Sequence, residues 1–163
     1  MAYLLDANVF MTAKNLHYGM DFCPAFWDWL VDAHGKGTVY SIEKVGDEIA
    51  AGADELAIWA EGLDAGFFLK PDADTLSALL HVSRWANSNG YEPVAINTFL
   101  SGVDYYLISQ ALADSHVLVT HERLSDSPKK IKIPNACLGL NVKVVSPFEM
   151  LRNERARFVL GAP

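Results

Sequence analysis

The stretch Tyr3-Leu4-Leu5-Asp6-Ala7-Asn8-Val9-Phe10 sets a short apolar run directly against an acid, then resumes apolar residues at helical spacing. It reads as a strand that passes at once into a helix, the repeating unit of α/β proteins. The alternation continues down the chain. Phe22, Phe26, Trp29 and Leu30 share one helix face that Gly35 and Gly37 close, and Thr38-Val39-Tyr40 follows as a strand. Ser41 is placed to cap the helix through Val45 and Ile49. A helix over Asp54 to Ala60 precedes the strand Phe67-Phe68-Leu69. Pro71 and Asp72 open a long helix through Leu76, Leu79, Leu80, Val82 and Trp85 that stops before Asn89-Gly90.

A short helix after Pro93, another from Asp104 to Ala113 and the strand Val117-Leu118-Val119 come next. A polar, basic segment from Glu122 to Lys132 separates that strand from a helical turn at Pro134, the strand Val142 to Val145 and a helix from Pro147 to Arg152. Strands alternating with helices predict an α/β fold with a mainly parallel sheet covered on both faces. No repeat, linker or low-complexity tract interrupts residues 1–163, so one domain is expected.

With 163 residues, 51% hydrophobic and 20% charged, the chain can build one sizeable core, and it is too apolar for an intrinsically disordered protein. No run approaches the roughly eighteen apolar residues of a membrane span. The opening residues lack a basic region and a cleavage signal, and Cys23 and Cys137 are the only cysteines. A reduced, cytoplasmic protein is the expectation. The net charge is −7, but it is unevenly spread. Residues 1–120 carry five basic and sixteen acidic side chains, whereas residues 121–163 carry eight basic and four acidic ones. The C-terminal quarter is a basic flank on an acidic body.

Ligands of open parallel sheets bind beyond the carboxyl ends of the strands. Asp6 ends the first strand, with Asn8 just after it; Glu122 follows the strand that closes in Val119-Thr120; Asp104 opens the helix before that strand; Glu48 lies in the helix after the second strand. Each has an ordinary alternative: Asp6 and Asp104 as helix N-caps, Glu48 facing solvent, Glu122 as a loop charge. Together they would repel unless a divalent cation joined them. Mg²⁺ and Mn²⁺ favour such oxygen donors, and an ion held this way suits phosphoryl chemistry.

The same residues resemble the PIN-domain ribonucleases, the family that contains the VapC-type toxins. Tyr3 to Phe10 resembles its hydrophobic-Asp-x-Asn opening, and Val45-Gly46-Asp47-Glu48-Ile49 its second acidic motif. Asp104-Tyr105-Tyr106-Leu107-Ile108-Ser109-Gln110-Ala111 resembles the third motif, and Val119-Thr120-His121-Glu122 the fourth. All four fall in the family's order. Further likeness to a less-characterised PIN-like branch lies in Gly52 to Trp59, in Lys129 to Cys137 and in Phe148-Glu149-Met150-Leu151-Arg152. Glu122 stands where much of the family has Asp, and Asp47 and Glu43 compete with Glu48 for the second acid.

The resemblance implies a three-layer α/β/α sandwich and metal-dependent cleavage of RNA. Asp6, Glu48, Asp104 and Glu122 would hold one or two Mg²⁺ or Mn²⁺ ions, and an activated water would attack phosphorus in line, leaving a 5′-phosphate and a 3′-hydroxyl. Asn8 would position a ligand carboxylate, and Thr120 would hydrogen-bond to an acid or a water. Arg123, Lys129, Lys130 and Lys132 would hold the phosphate backbone beside the metals. Such a nuclease would be the toxin of a toxin–antitoxin pair, with a small antitoxin protein as its partner.

Other readings are weaker. Neither His nor Cys shows zinc spacing. A phosphatase of the haloacid-dehalogenase type needs a second Asp where Asn8 stands. The four Trp are expected in core or interface, and the aromatic Phe22 to Leu30 cluster suits core packing better than a homodimer face. The remaining rival is a catalytically weak PIN-like module that binds RNA or a protein.

Overall fold

In the computed structural model, which describes residues 1–161, five short strands form one parallel sheet in the order β3-β2-β1-β4-β5. The strands are β1 (Tyr3–Leu5), β2 (Val39–Ile42), β3 (Phe68–Leu69), β4 (Val117–Val119) and β5 (Val144–Val145). The central strand β1 pairs Tyr3 with Val39 on one side and with Val117 on the other. Leu4, Leu5, Val39, Leu118 and Val119 are fully buried, as expected for strands covered on both faces.

Helices α1 (Ala7–Thr12), α2 (Pro24–Gly35), α3 (Glu43–Ala51), α4 (Glu55–Glu61), α5 (Ala73–Asn87), α6 (Pro93–Leu100), α7 (Val103–Asp114), α8 (Ile133–Gly139) and α9 (Pro147–Asn153) complete the fold. It is a three-layer α/β/α sandwich. α7 packs on β2 and β4, with α5, α6 and α8 gathered around it. Asp72 caps α5 and Ser146 caps α9, each in a reciprocal capping box. Gly46 lets α3 lie close on β3, since a Cβ there would meet the Phe68 ring at 3.0 Å.

Phe26, Trp27 and Leu30 are buried, so the aromatic cluster packs inward as expected, although Phe22 stays exposed. Trp29, Trp59 and Trp85 are partly buried against the core. One local expectation fails. Ser41 is a strand residue, not a helix cap: β2 continues through Ile42 to pair with β3, and the buried Ser41 hydroxyl donates to the Leu5 carbonyl at 2.6 Å. The turn after α1 is π-helical over Ala13–His17, closed by a bond from the Tyr18 amide to the Ala13 carbonyl at 2.7 Å. Among the described residues no helix is long and apolar enough to cross a membrane.

Candidate functional site

The strand order places a topological switch at β1 and β4: the chain winds outward from β1 through β2 to β3, then returns to β4 on the opposite side. A cavity of about 780 Å³ opens beyond the carboxyl ends of these strands. Asp6, Glu48, Asp104 and Glu122 all line it. Four separated segments therefore bring their acids to one place.

Asp6 follows β1 and occupies the N-cap position of α1, but its side chain makes no capping bond. Its Oδ2 instead accepts the Thr120 hydroxyl at 2.8 Å. The N-cap reading fails for Asp104 too, because Gly102 is the N-cap of α7 and Asp104 lies one residue inside the helix. Glu48 is an exposed residue of α3 that reaches the rim, whereas Asp47 and Glu43 do not line the cavity. Glu43 instead lies 4.0 Å from Lys70.

Thr120 is the junction of the site. Its Oγ1 accepts the Glu122 amide at 3.1 Å and the Asn8 side-chain amide at 3.4 Å, while Asn8 Oδ1 accepts the His121 amide at 3.3 Å. Asn8 thus braces Thr120 and the β4 terminus. Asn8 reaches the Asp6 carboxylate through Thr120 rather than by a bond of its own.

Burial raises Asp6 to a pKa of about 7, and the charges of Asp104 and Glu122 add to the effect against the Thr120 and Ala7 hydrogen bonds. Burial likewise raises Asp104 to about 6, with Glu122 and Glu48 adding to it and Lys130 and Lys132 opposing it. The basic segment splits in two. Lys129, Lys130 and Lys132 line the acidic cavity, and Lys132 Nζ lies 3.6 Å from Glu122 Oε1. The Ile133 amide donates to Glu122 Oε2 at 3.4 Å. Arg123 does not line the acidic cavity; it lines a neighbouring one that Glu122 shares.

Among the described residues, no group of three or more His, Cys, Asp or Glu side chains stands close enough together to hold an ion as they lie. The donor chemistry nonetheless fits Mg²⁺ or Mn²⁺. The set is all carboxylate oxygen, and Asp6, buried, and Asp104, half-buried, lose solvation at a cost that a cation would relieve. The basic segment's part as counter-charge to Asp104 and Glu122 was missed by sequence reasoning, and so was the wall that α6 supplies through Ala95, Thr98 and Phe99. Neither carries a local signal, because each depends on how distant elements pack.

Fold and site together define an α/β/α protein with an acidic cavity at the switch point of a parallel sheet. A family model described as a domain of unknown function, DUF4411, matches residues 3–158, and the chain belongs to that family. No curated protein and no solved structure matches it.

Proposed function

We propose that the chain is a Mg²⁺- or Mn²⁺-dependent ribonuclease of the PIN kind, acting in the cytoplasm as the toxin of a toxin–antitoxin pair. The observation that carries this reading is the convergence of Asp6, Glu48, Asp104 and Glu122 on one cavity, with Asp6 buried, Asp104 half-buried and both carrying strongly raised pKa values. Asp6, Asp104, Glu48 and Glu122 would hold the ion. When bound, the ion activates a water and neutralises charge that develops on the phosphate.

The chain's own groups then have distinct tasks. Thr120 fixes the Asp6 carboxylate, and Asn8 fixes Thr120. Lys129, Lys130 and Lys132 offer ammonium groups to phosphate oxygens at the cavity edge. An antitoxin would act by inserting a segment at the acidic rim.

Calorimetric titration with Mn²⁺ tests the reading, with wild type and Asp6→Asn in parallel, followed by an RNA cleavage assay on both. Expected are binding and cleavage that Asp6→Asn removes while the protein stays folded. Cleavage at the wild-type rate by Asp6→Asn would sink the metal-site reading. A second reading is a module that binds RNA or a protein without cutting. It is favoured by Lys132 beside Glu122 and by the wider-than-ligand spacing of the acids. Wild type that binds RNA yet neither takes up Mn²⁺ nor cleaves would establish it.

A further inference from the structure

On the far side of Glu122 from the acidic cavity lies a second depression of about 440 Å³, lined among others by His121, Arg123, Ser146 and Phe148. Three rings meet beside it, from three different elements. His17, at the end of the π-helical turn, stands edge-on to Phe148 of α9 with ring centres 5.1 Å apart. His121, which follows β4, lies 5.7 Å from both His17 and Phe148. His17 is exposed, and the other two are half-buried. Core packing alone does not call for an open triad at the surface.

The triad is also continuous with the acidic cavity. Glu122 lines both depressions, and the His121 amide is bonded to Asn8, which lines the acidic one. Arg123 lines the ring-side depression and forms no ion pair among the described residues, whereas Glu149 is engaged with the Ser146 amide in the α9 cap. Aromatic and imidazole faces beside a cation suit an unstacked base with its phosphate. A paired base has both faces covered by its own helix, so it cannot use such a surface.

We infer that His17, His121 and Phe148 form a stacking platform for one base of a single-stranded RNA, next to the phosphate that the acidic cavity receives, with Arg123 on the adjoining phosphate. This deepens the ribonuclease reading and rests on it for the neighbouring phosphate. It selects single-stranded over duplex RNA.

The test uses a fluorescein-labelled RNA of about eight nucleotides, free and annealed to its complement, in EDTA so that nothing is cut. Fluorescence anisotropy is read for wild type, His17→Ala and Phe148→Leu. His17 is exposed, so its removal does not threaten folding, and leucine keeps the Phe148 packing largely filled. Wild type should prefer the single strand. Each variant should lose about tenfold in single-strand affinity, the loss of one stacked base, with duplex binding unchanged and with Mn²⁺ uptake, read by calorimetry without EDTA or RNA, also unchanged. Wild-type affinity in both variants, an equal loss for strand and duplex, or no RNA binding by wild type would each overturn the platform. A platform effect in a protein that never cleaves RNA in Mn²⁺ would leave the platform standing and remove the ribonuclease reading. Cleavage with both variants unimpaired would do the reverse.

Discussion

The Thr120 hydroxyl donates to Asp6 Oδ2 at 2.8 Å across the junction of β4 and β1, joining two residues 114 positions apart. It helps to hold a buried carboxylate in place at the switch point, and the same oxygen accepts two further hydrogen bonds. Replacing it by Thr120→Val keeps the shape and strands the Asn8 amide and the Glu122 amide. The expected cost is about 1–3 kcal/mol of stability. A drop of about tenfold in Mn²⁺ affinity should accompany it, since the carboxylate is no longer oriented. Thr120→Ser should restore both. Denaturant titration and calorimetry read the two effects, and a valine variant with unchanged stability and metal affinity would remove Thr120 from the site.

The raised carboxylates make stability depend on pH in a stated direction. Asp6 moves from an ordinary 3.8 to about 7 on folding, so between these values the folded chain holds a proton that the unfolded chain has lost. The contribution is fully present below about pH 4 and is lost as pH rises through 7. Without divalent cation, wild type should lose on the order of 2–4 kcal/mol across that window. Asp6→Asn should flatten the profile and be the more stable of the two at pH 8. Urea midpoints in EDTA at pH 5 and pH 8 check this, and an Asp6→Asn variant less stable than wild type at pH 8 contradicts it.

Lys130 and Lys132 compete with a cation for the same charges. Their joint replacement by alanine should raise Mn²⁺ affinity a few-fold by removing repulsion, and should weaken RNA binding. The slope of log affinity against log salt should become shallower by roughly one to two. Anisotropy at several salt concentrations and calorimetry read the two signs separately. Weaker Mn²⁺ binding in the variant would show that the lysines support the acids rather than oppose a metal.

Gly139 tests the packing that anchors the basic segment. A Cβ at this position would lie 2.1 Å from Trp85 Nε1, so with any larger residue either the indole or α8 must shift. Gly139→Ala should cost about 1–3 kcal/mol, despite its higher helix propensity, and should shift the tryptophan emission. An unchanged melting temperature would mean that Trp85 turns aside freely.

What the sequence revealed and what it hid divide along physical lines. Strand and helix alternation is local, so Tyr3 to Phe10 and the buried Val117 to Val119 announced the parallel sheet directly. Positions of acids just past strand ends were equally readable, because strand polarity in a parallel sheet puts those ends on one rim. Ser41 misled because a serine before Glu43 looks like a cap, while the pairing of Ser41 and Ile42 with β3 depends on a strand more than twenty residues away. The inward course of Lys130 and Lys132, and the meeting of His17, His121 and Phe148, likewise depend on separate elements arriving together. No window of sequence contains them.

The β1–β4 junction bears on the protein's own synthesis. Asp6 leaves the ribosome before its hydroxyl partner, its neighbouring acids and the lysines at its rim, which lie between residues 48 and 132. At ~5–20 residues per second, on the order of ten seconds separate the emergence of Asp6 from that of Lys132. Until Val119 has emerged β1 has no β4 to pair with, and until Lys132 has emerged the acidic cavity is incomplete. Whatever chemistry the cavity performs is therefore withheld from a nascent chain until the segment that carries Lys129 to Lys132 has emerged.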